Sequence, residues 1–225
     1  MIGLFSSVFL NDYKTVLYHT HNKENLNKKY GIFNTTLLHL AVLKNYYKVS
    51  KLLLKHKAKV NARNISGDTP LFFAVYNNNL SLVKLLIKNR ANIHVRNNCR
   101  DFPLMWACRK VNFYNSYLNY NRNPIKIIKL LLKKDINSRN SRGMTPLISC
   151  QYVPQADTNT TRAVNYNLIV VKLLLKNGAN VNYRDLKGED AIYYAMIHER
   201  EIVLSYLTQW KKAIIIQKNF RIYFK

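Results

Sequence analysis

Acidic residues are scarce in this chain: eleven Asp and Glu stand against 36 Lys and Arg in 225 residues, giving a formal net charge of +25. The eleven are scattered, the six histidines do not cluster, and no Ser-His-Asp, Cys-His, zinc-ligand or phosphate-loop spacing occurs. No catalytic residue, metal ligand or cofactor is therefore expected. Cysteine is as sparse, and Cys99, Cys108 and Cys150 form neither a metal-ligand spacing nor an even disulfide set. No apolar run approaches the roughly 18 residues of a membrane span, and Met1 to Leu10 lacks the basic start and long apolar core of a secretory signal. The expectation is an intracellular protein, most simply cytoplasmic, in which the Asn-x-Ser/Thr matches at Asn34, Asn64 and Asn159 carry no glycan.

What the chain does have is a period. Leu38-His39-Leu40-Ala41 aligns with Leu71-Phe72-Phe73-Ala74 and then with Leu104-Met105-Trp106-Ala107, each step being 33 residues. Leu52-Leu53 falls on Leu85-Leu86, and Ala58 on Ala91, at the same step. A fourth copy runs from Gly143-Met144-Thr145-Pro146-Leu147 to Asn182, and a fifth from Gly188 to about Leu207. A fixed period of this size marks a solenoid. Thr69-Pro70 and Thr145-Pro146 place a capping hydroxyl and a ring of fixed φ where a helix starts, while Thr36 and Asp190 keep the cap without the proline. An aliphatic stripe at helical spacing follows in Val49–Lys55 and Leu82–Lys88. Two short helices per unit result, and neither can bury its stripe unless neighbouring units stack.

The Thr-Pro-Leu-His-x-Ala start, the Leu-Leu-Leu helix and the Gly-Ala-x-Val-Asn ending resemble the ankyrin repeat. The resemblance covers about 34–207, in units near 34–66, 67–99, 100–142, 143–187 and 188–207. It implies an all-α solenoid of helix pairs with short β-hairpin turns, about five repeats, preceded by 1–33 as a degenerate N-terminal cap. In that cap Phe5, Val8 and Phe9 are read as one helix and Tyr13, Val16 and Leu17 as a second. Only Gly178 fills the left-handed position that ends the second helix, where Lys57 and Arg90 stand in its equivalents and pay for a positive φ. Cys150 takes the small-residue place held by Ala74 and is read as a core thiol.

Two units are stretched. Extra residues fall around Asn112 to Pro124, which include Phe113-Tyr114-Asn115-Ser116-Tyr117, and around Tyr152 to Asn167. Both lie between the first and second helices, where insertions either mark a binding surface or drift in a tolerant loop. The resemblance also implies projecting turns at 62–64, 95–97, 138–140 and 183–185. An arginine recurs in each. Arg63, Arg96, Arg139 and Arg184, thickened by Arg100, Arg142 and Lys187, are the candidate partner-binding ladder, because a guanidinium takes carboxylate or phosphate bidentately. The competing reading is a solvated edge.

The last stretch, 208–225, is a basic amphipathic segment in which Ile216, Gln217, Phe220, Arg221 and Tyr223 resemble an IQ motif, the helical target of calmodulin and related light chains. Ile222 stands where the family often has Gly, and Lys225 ends the chain one residue before the last basic position. A helix of this kind suits a calmodulin-like partner or a membrane surface, and the alternative is a cap on the last repeat. The functional expectation is a non-catalytic protein-binding adaptor with an acidic partner. Its alternatives are a nucleic-acid or polyanion binder using the basic surface, and an effector of a virus or intracellular microbe acting on host proteins. The abundance of Asn, Ile, Tyr and Lys leaves AT-rich coding bias as a competing source of the charge.

Overall fold

The computed structural model describes residues 3–22, 24–110, 124–132, 135–151 and 161–223, with side chains for all of these except 110, 161–166 and 218–223. It is built from helix pairs: α1 (Leu4–Phe9) and α2 (Tyr13–His21), α3 (Leu37–Leu43) and α4 (Tyr47–Lys55), α5 (Pro70–Tyr76) and α6 (Leu80–Lys88), α7 (Pro103–Lys110) and α8 (Pro124–Leu131), α9 (Pro146–Ser149) and α10 (Thr161–Lys176), and α11 (Ala191–Ile197) and α12 (Glu201–Tyr223). The described residues form two compact units, the first holding the chain up to Ala107 together with α8, the second the rest.

In the first unit the helices stack in two rows. The first helices pack α1 on α3 and α3 on α5, and the second helices pack α2 on α4, α4 on α6 and α6 on α8. Seven-residue helices such as α3 and α5 are two turns long, too short to persist alone in water, so burial between rows holds them. Leu37, Leu38, Ala41 and Val42 of α3 are fully buried, as are Leu71, Phe72 and Ala74 of α5, and Val49 and Leu53 of α4 and Leu82, Val83 and Leu86 of α6 close the other side. The opening pair buries Leu4, Val8 and Val16, whereas Phe5 and Phe9 are exposed.

Helix starts follow the capping residues read from the sequence. Thr36 and His39 form a reciprocal capping box on α3. The Thr36 N–H donates to His39 Nδ1 at 3.2 Å, which leaves Nε2–H to donate to the Asp68 carbonyl at 3.1 Å, one repeat onward. Phe72 replaces the histidine in the next unit, and the buried Thr69 hydroxyl is left without a hydrogen-bond partner, a deficit of order 1 kcal/mol. Asp190 caps α11 by accepting from the Ile192 and Tyr193 N–H groups. Helix ends also follow the reading, since Lys57 (φ 66°), Arg90 (φ 65°) and Gly178 (φ 90°) are all left-handed.

Asparagine side chains tie successive repeats together. Asn61 donates to the Arg90 carbonyl at 3.2 Å and accepts from the Asn92 N–H at 2.8 Å. In the second unit Asn137 does the same to Gly178 (2.8 Å) and Asn180 (2.8 Å), although the third repeat has lost its own Gly-Ala pair. Asn27 accepts from the Lys59 N–H at 2.7 Å. On the other edge Asn77 donates to the Leu43 carbonyl at 2.7 Å and Asn79 to Asn45 Oδ1 at 3.0 Å.

In the second unit α9 packs on α10 and α11, and α12 packs on α10 and α11. The short α9 ends in a buried polar knot. Arg200 Nη1 and Asn167 Nδ2 both donate to the Cys150 carbonyl, at 3.0 and 2.7 Å, and Arg200 also reaches Gln151 Oε1 at 3.2 Å. A cation at a helix C-terminus satisfies orphan carbonyls and complements the dipole, which accounts for a buried arginine whose pKa burial pulls below the usual value. The insertion at Tyr152 to Asn167 is in part helix, because α10 begins at Thr161; its remainder, and the insertion at 112–123, lie outside the described residues.

Arg90→Gly removes a left-handed non-glycine residue whose side chain is exposed. It is expected to raise stability by about 1 kcal/mol, or roughly 2–4 °C in thermal midpoint for a chain of this size, with Gly178→Ala moving the midpoint down. A second expectation concerns pH. Burial pushes the His39 pKa down to about 4, the bond to the Asp68 carbonyl opposing it. Neutral His39 stabilises the fold fully above about pH 6.5, and that stability drains as pH falls toward 4, at up to ~1.4 kcal/mol per pH unit. Urea unfolding between pH 7 and 5 should show this slope, and His39→Gln should flatten it.

Candidate interaction surfaces

The projecting turns are closed alike. In each, an Asn or Asp donates its N–H across the turn and its side-chain oxygen accepts the returning N–H. Asn64 does so with Asp68 (3.0 and 2.8 Å), Asn97 with Asp101 (2.9 and 2.9 Å), Asn140 with Met144 (3.1 and 3.0 Å) and Asp185 with Glu189 (2.9 and 3.0 Å). Little strand accompanies them: among the described residues the only bridges are Tyr30 with Thr35 and Arg184 with Asp190, both isolated. Neighbouring turns are also joined through main chain, Asn98 N–H to the Ser66 carbonyl in the first unit and Leu186 N–H to the Arg142 carbonyl in the second, each at 2.9 Å.

The four finger arginines are built into this framework. Arg63 Nη2 donates to the Arg96 carbonyl at 2.7 Å, and Arg139 Nη2 to the Arg184 carbonyl at 2.7 Å. Arg139 Nε also holds the Gly143 carbonyl at 2.9 Å, and Arg184 Nη1 the Gly188 carbonyl at 2.8 Å. The Arg96 guanidinium lies 5.6 Å from the Phe102 ring centroid. Gly67 and Gly143 make room for the struts: a Cβ at either would come within 2.7 Å of the Arg63 or Arg139 Nη2, and both have φ near +77°. Arg63, Arg139 and Arg184 remain exposed, so each guanidinium keeps a face toward solvent, while Arg63 and Arg139 brace the next turn and Arg184 its own. The ladder therefore has a structural use beside any partner it meets.

The segment bearing the IQ resemblance belongs to α12, a single helix of 23 residues from Glu201 to Tyr223, so the division at 207/208 falls inside one element. Its first turns cover the last repeat, with Val203 and Leu207 fully buried. From Thr208 to Gln217 no residue is buried. Ile215 and Ile216 are 53% and 55% exposed, and Gln217 is exposed beside them. Phe220, Arg221 and Tyr223 lie on the same helix, and their side chains are outside the described residues. Lys211 ties the helix to the α11 cap through Asp190 Oδ2 at 3.2 Å.

Titratable groups elsewhere serve the framework. Asp68 is buried, accepts from Asn97 Nδ2 at 2.8 Å, and has its pKa raised by burial. Tyr194 donates to Asp185 Oδ2 at 2.8 Å, and burial raises its pKa. Burial drives the Cys108 thiol well up and the Cys150 thiol to about 12, which makes both poor nucleophiles. Among the described residues no group of His, Cys, Asp or Glu could hold a metal ion, and no helix is long and apolar enough to cross a membrane.

The asparagine clamps and staples escaped the reading of the sequence, although they carry its period. Asn64 and Asn97 stand 33 residues apart, the step of the leucines. Their abundance had an explanation in coding bias that concealed their positions.

The family model for ankyrin repeats, three copies in length, matches residues 4–97, 71–158 and 104–219. Among solved structures, the ankyrin repeat protein EF0377 aligns with 23% identity and a TM-score of 0.73 over 92% of this chain and 96% of its own. An ankyrin repeat domain, ABAYE2397 from Acinetobacter baumannii AYE, aligns with 19% identity and a TM-score of 0.70 over 91% and 95%. No curated protein matches the sequence. With the family model matched from residue 4 to residue 219 and the helix pairs packed as described, the chain belongs to the ankyrin repeat family.

Proposed function

We propose that this chain is a non-catalytic protein-binding scaffold that recruits a calmodulin-like, acidic partner through the C-terminal half of α12 and offers its finger turns, with Arg63, Arg96, Arg139 and Arg184, to a second protein. Ankyrin repeats are in general protein-interaction modules, and the +25 charge favours acidic surfaces. The observation that carries the recruitment role is where burial stops. A repeat's second helix needs about nine residues to cover its neighbour, as α4 and α6 do. Among the described side chains of α12 the last buried one is Leu207, and the helix continues to Tyr223 with Ile215 and Ile216 exposed. Exposed aliphatic side chains beside Lys and Gln are what a helix-in-groove partner takes up. A reducing intracellular setting suits this role, and the cysteines are free thiols.

Trp210 reports on the segment directly. In a Trp106→Phe variant it is the one remaining tryptophan. Phe keeps the edge contacts that Trp106 makes with Phe72 and Tyr76, and the Trp106 indole N–H has no partner to lose. Calmodulin titrated into this variant, with and without calcium, is expected to shift Trp210 emission to the blue, saturate at one equivalent and persist in high salt. An absent shift, or one abolished by salt, returns 208–225 to a capping role.

A further inference from the structure

Lysines are not spread evenly over the first unit. The first-row helices α3 and α5 contain none, while the second-row helices α4, α6 and α8 carry Lys48, Lys51, Lys55, Lys84, Lys88, Lys126 and Lys129, all exposed. The only other exposed side chains on those three helices are Ser81 and Tyr47. Coding bias would not sort lysine to one row. The positions repeat in phase: Lys51 and Lys84 are 33 residues apart, as are Lys55 and Lys88, so that Lys51 and Lys55 bracket Leu52-Leu53-Leu54 as Lys84 and Lys88 bracket Leu85-Leu86-Ile87. Within a helix the pairs at i, i+4 repel. No Asp or Glu lies on α4, α6 or α8, and the only acids between Asn25 and Lys134, Asp68 and Asp101, are buried. The three helices therefore carry positive charge alone.

Between α4 and α6 this face holds a shallow cavity of about 570 Å³ lined by Tyr47, Lys51, Asn79, Ser81, Lys84, Leu85 and Lys88. That volume suits a nucleotide-sized group. Three ammonium groups surround it, with an amide and a hydroxyl as further hydrogen-bonding groups and one exposed ring.

We infer that the second-row face of α4, α6 and α8 binds single-stranded nucleic acid, its lysines neutralising successive phosphates and the α4–α6 cavity receiving one nucleotide against the Tyr47 ring. Charge complementarity selects a polyanion, and the character of the face selects which. Folded protein partners bury an apolar centre and deplete lysine, and this face has no exposed aliphatic side chain to supply one. Lysine is a compact point charge suited to phosphate, whereas carboxylate recognition favours the arginine fork, which these three helices lack. A membrane surface would need apolar side chains to insert. A groove of cations beside an aromatic ring is the arrangement that tracks a single strand.

The test is fluorescence anisotropy of a labelled oligo-dT strand with the full chain across a salt series starting near about 50 mM. Binding should weaken linearly in log–log form, each engaged lysine contributing about 0.7 to the slope. Lys51→Gln, Lys84→Gln and Lys88→Gln combined should lower the slope by about 2 and the affinity at low salt by about tenfold or more. Lys29→Gln, Lys44→Gln and Lys59→Gln combined, which remove the same charge outside the three helices, should change affinity only a few-fold. Tyr47→Ala should weaken binding without altering the slope. All three variants are exposed-surface changes whose folding a thermal melt verifies. The inference is overturned by no binding at low salt, by equal losses in the two triple variants, or by polyglutamate displacing the strand as well as unlabelled oligo-dT does, which would assign the face to acidic peptides.

Discussion

Every helix pair here is too short to bury its own stripe, so the fold depends on hydrogen bonds and apolar contacts that cross from one repeat to the next. The apolar part is ordinary: Leu, Val and Ala fill the space between the rows and exclude water. The polar part fixes register. His39 reaches the Asp68 carbonyl, Asn61 clamps both sides of the turn at Arg90 to Asn92, and Arg63 braces the Arg96 carbonyl. Each of these side chains spans one repeat, and each satisfies a backbone group that the turn would otherwise leave to solvent. A residue slipped by one position would lose all of them at once, which is a stronger constraint on alignment than the aliphatic packing alone.

This arrangement also explains how the acids are spent. Asp68, Asp101, Asp185 and Asp190 are all buried, as turn staples, clamp acceptors or helix caps. A carboxylate used this way is worth more than one on the surface, because it accepts several N–H bonds in a site of low dielectric. The cost is that it no longer offsets exposed lysines. The basic exterior therefore follows from two separate facts, a shortage of acids in the sequence and the inward use of four of the eleven.

The repeat was legible because hydrophobic residues, the Thr-Pro starts and the left-handed helix endings each obey one period and have one mechanical meaning. Lys57 and Arg90 could be placed at positive φ from the sequence because Gly178 fills the equivalent position. The helices α1 and α2 were legible as a pair, whereas the side each turns inward was not read from the sequence: Leu4, Val8 and Val16 are buried, and Phe5 and Phe9 are exposed. The clamps were hidden for a different reason. Asn at 61, 64, 97 and 137 is chemically unremarkable, and its partners are backbone atoms, four residues on in the same turn for Asn64 and Asn97 and a repeat away for Asn61 and Asn137, which no residue type announces. The arginine ladder was legible as a pattern, whereas its bracing role required knowing that the neighbouring carbonyl lies within 2.7 Å.

The two ends of the site question differ in kind. A finger arginine is committed on one edge, so substituting it removes a strut as well as a surface charge, and a loss of binding in such a variant mixes two causes. The exposed part of α12 and the lysines of α4 and α6 have no such double duty in the packing, because their side chains lie outside the buried core. Changes there alter what the protein presents while leaving what holds it together. Ankyrin folds place specificity on surfaces of this type, with the repeat as a rigid support, and here the support is rigid where Asn and Arg cross between repeats and bare where Ile and Lys do not.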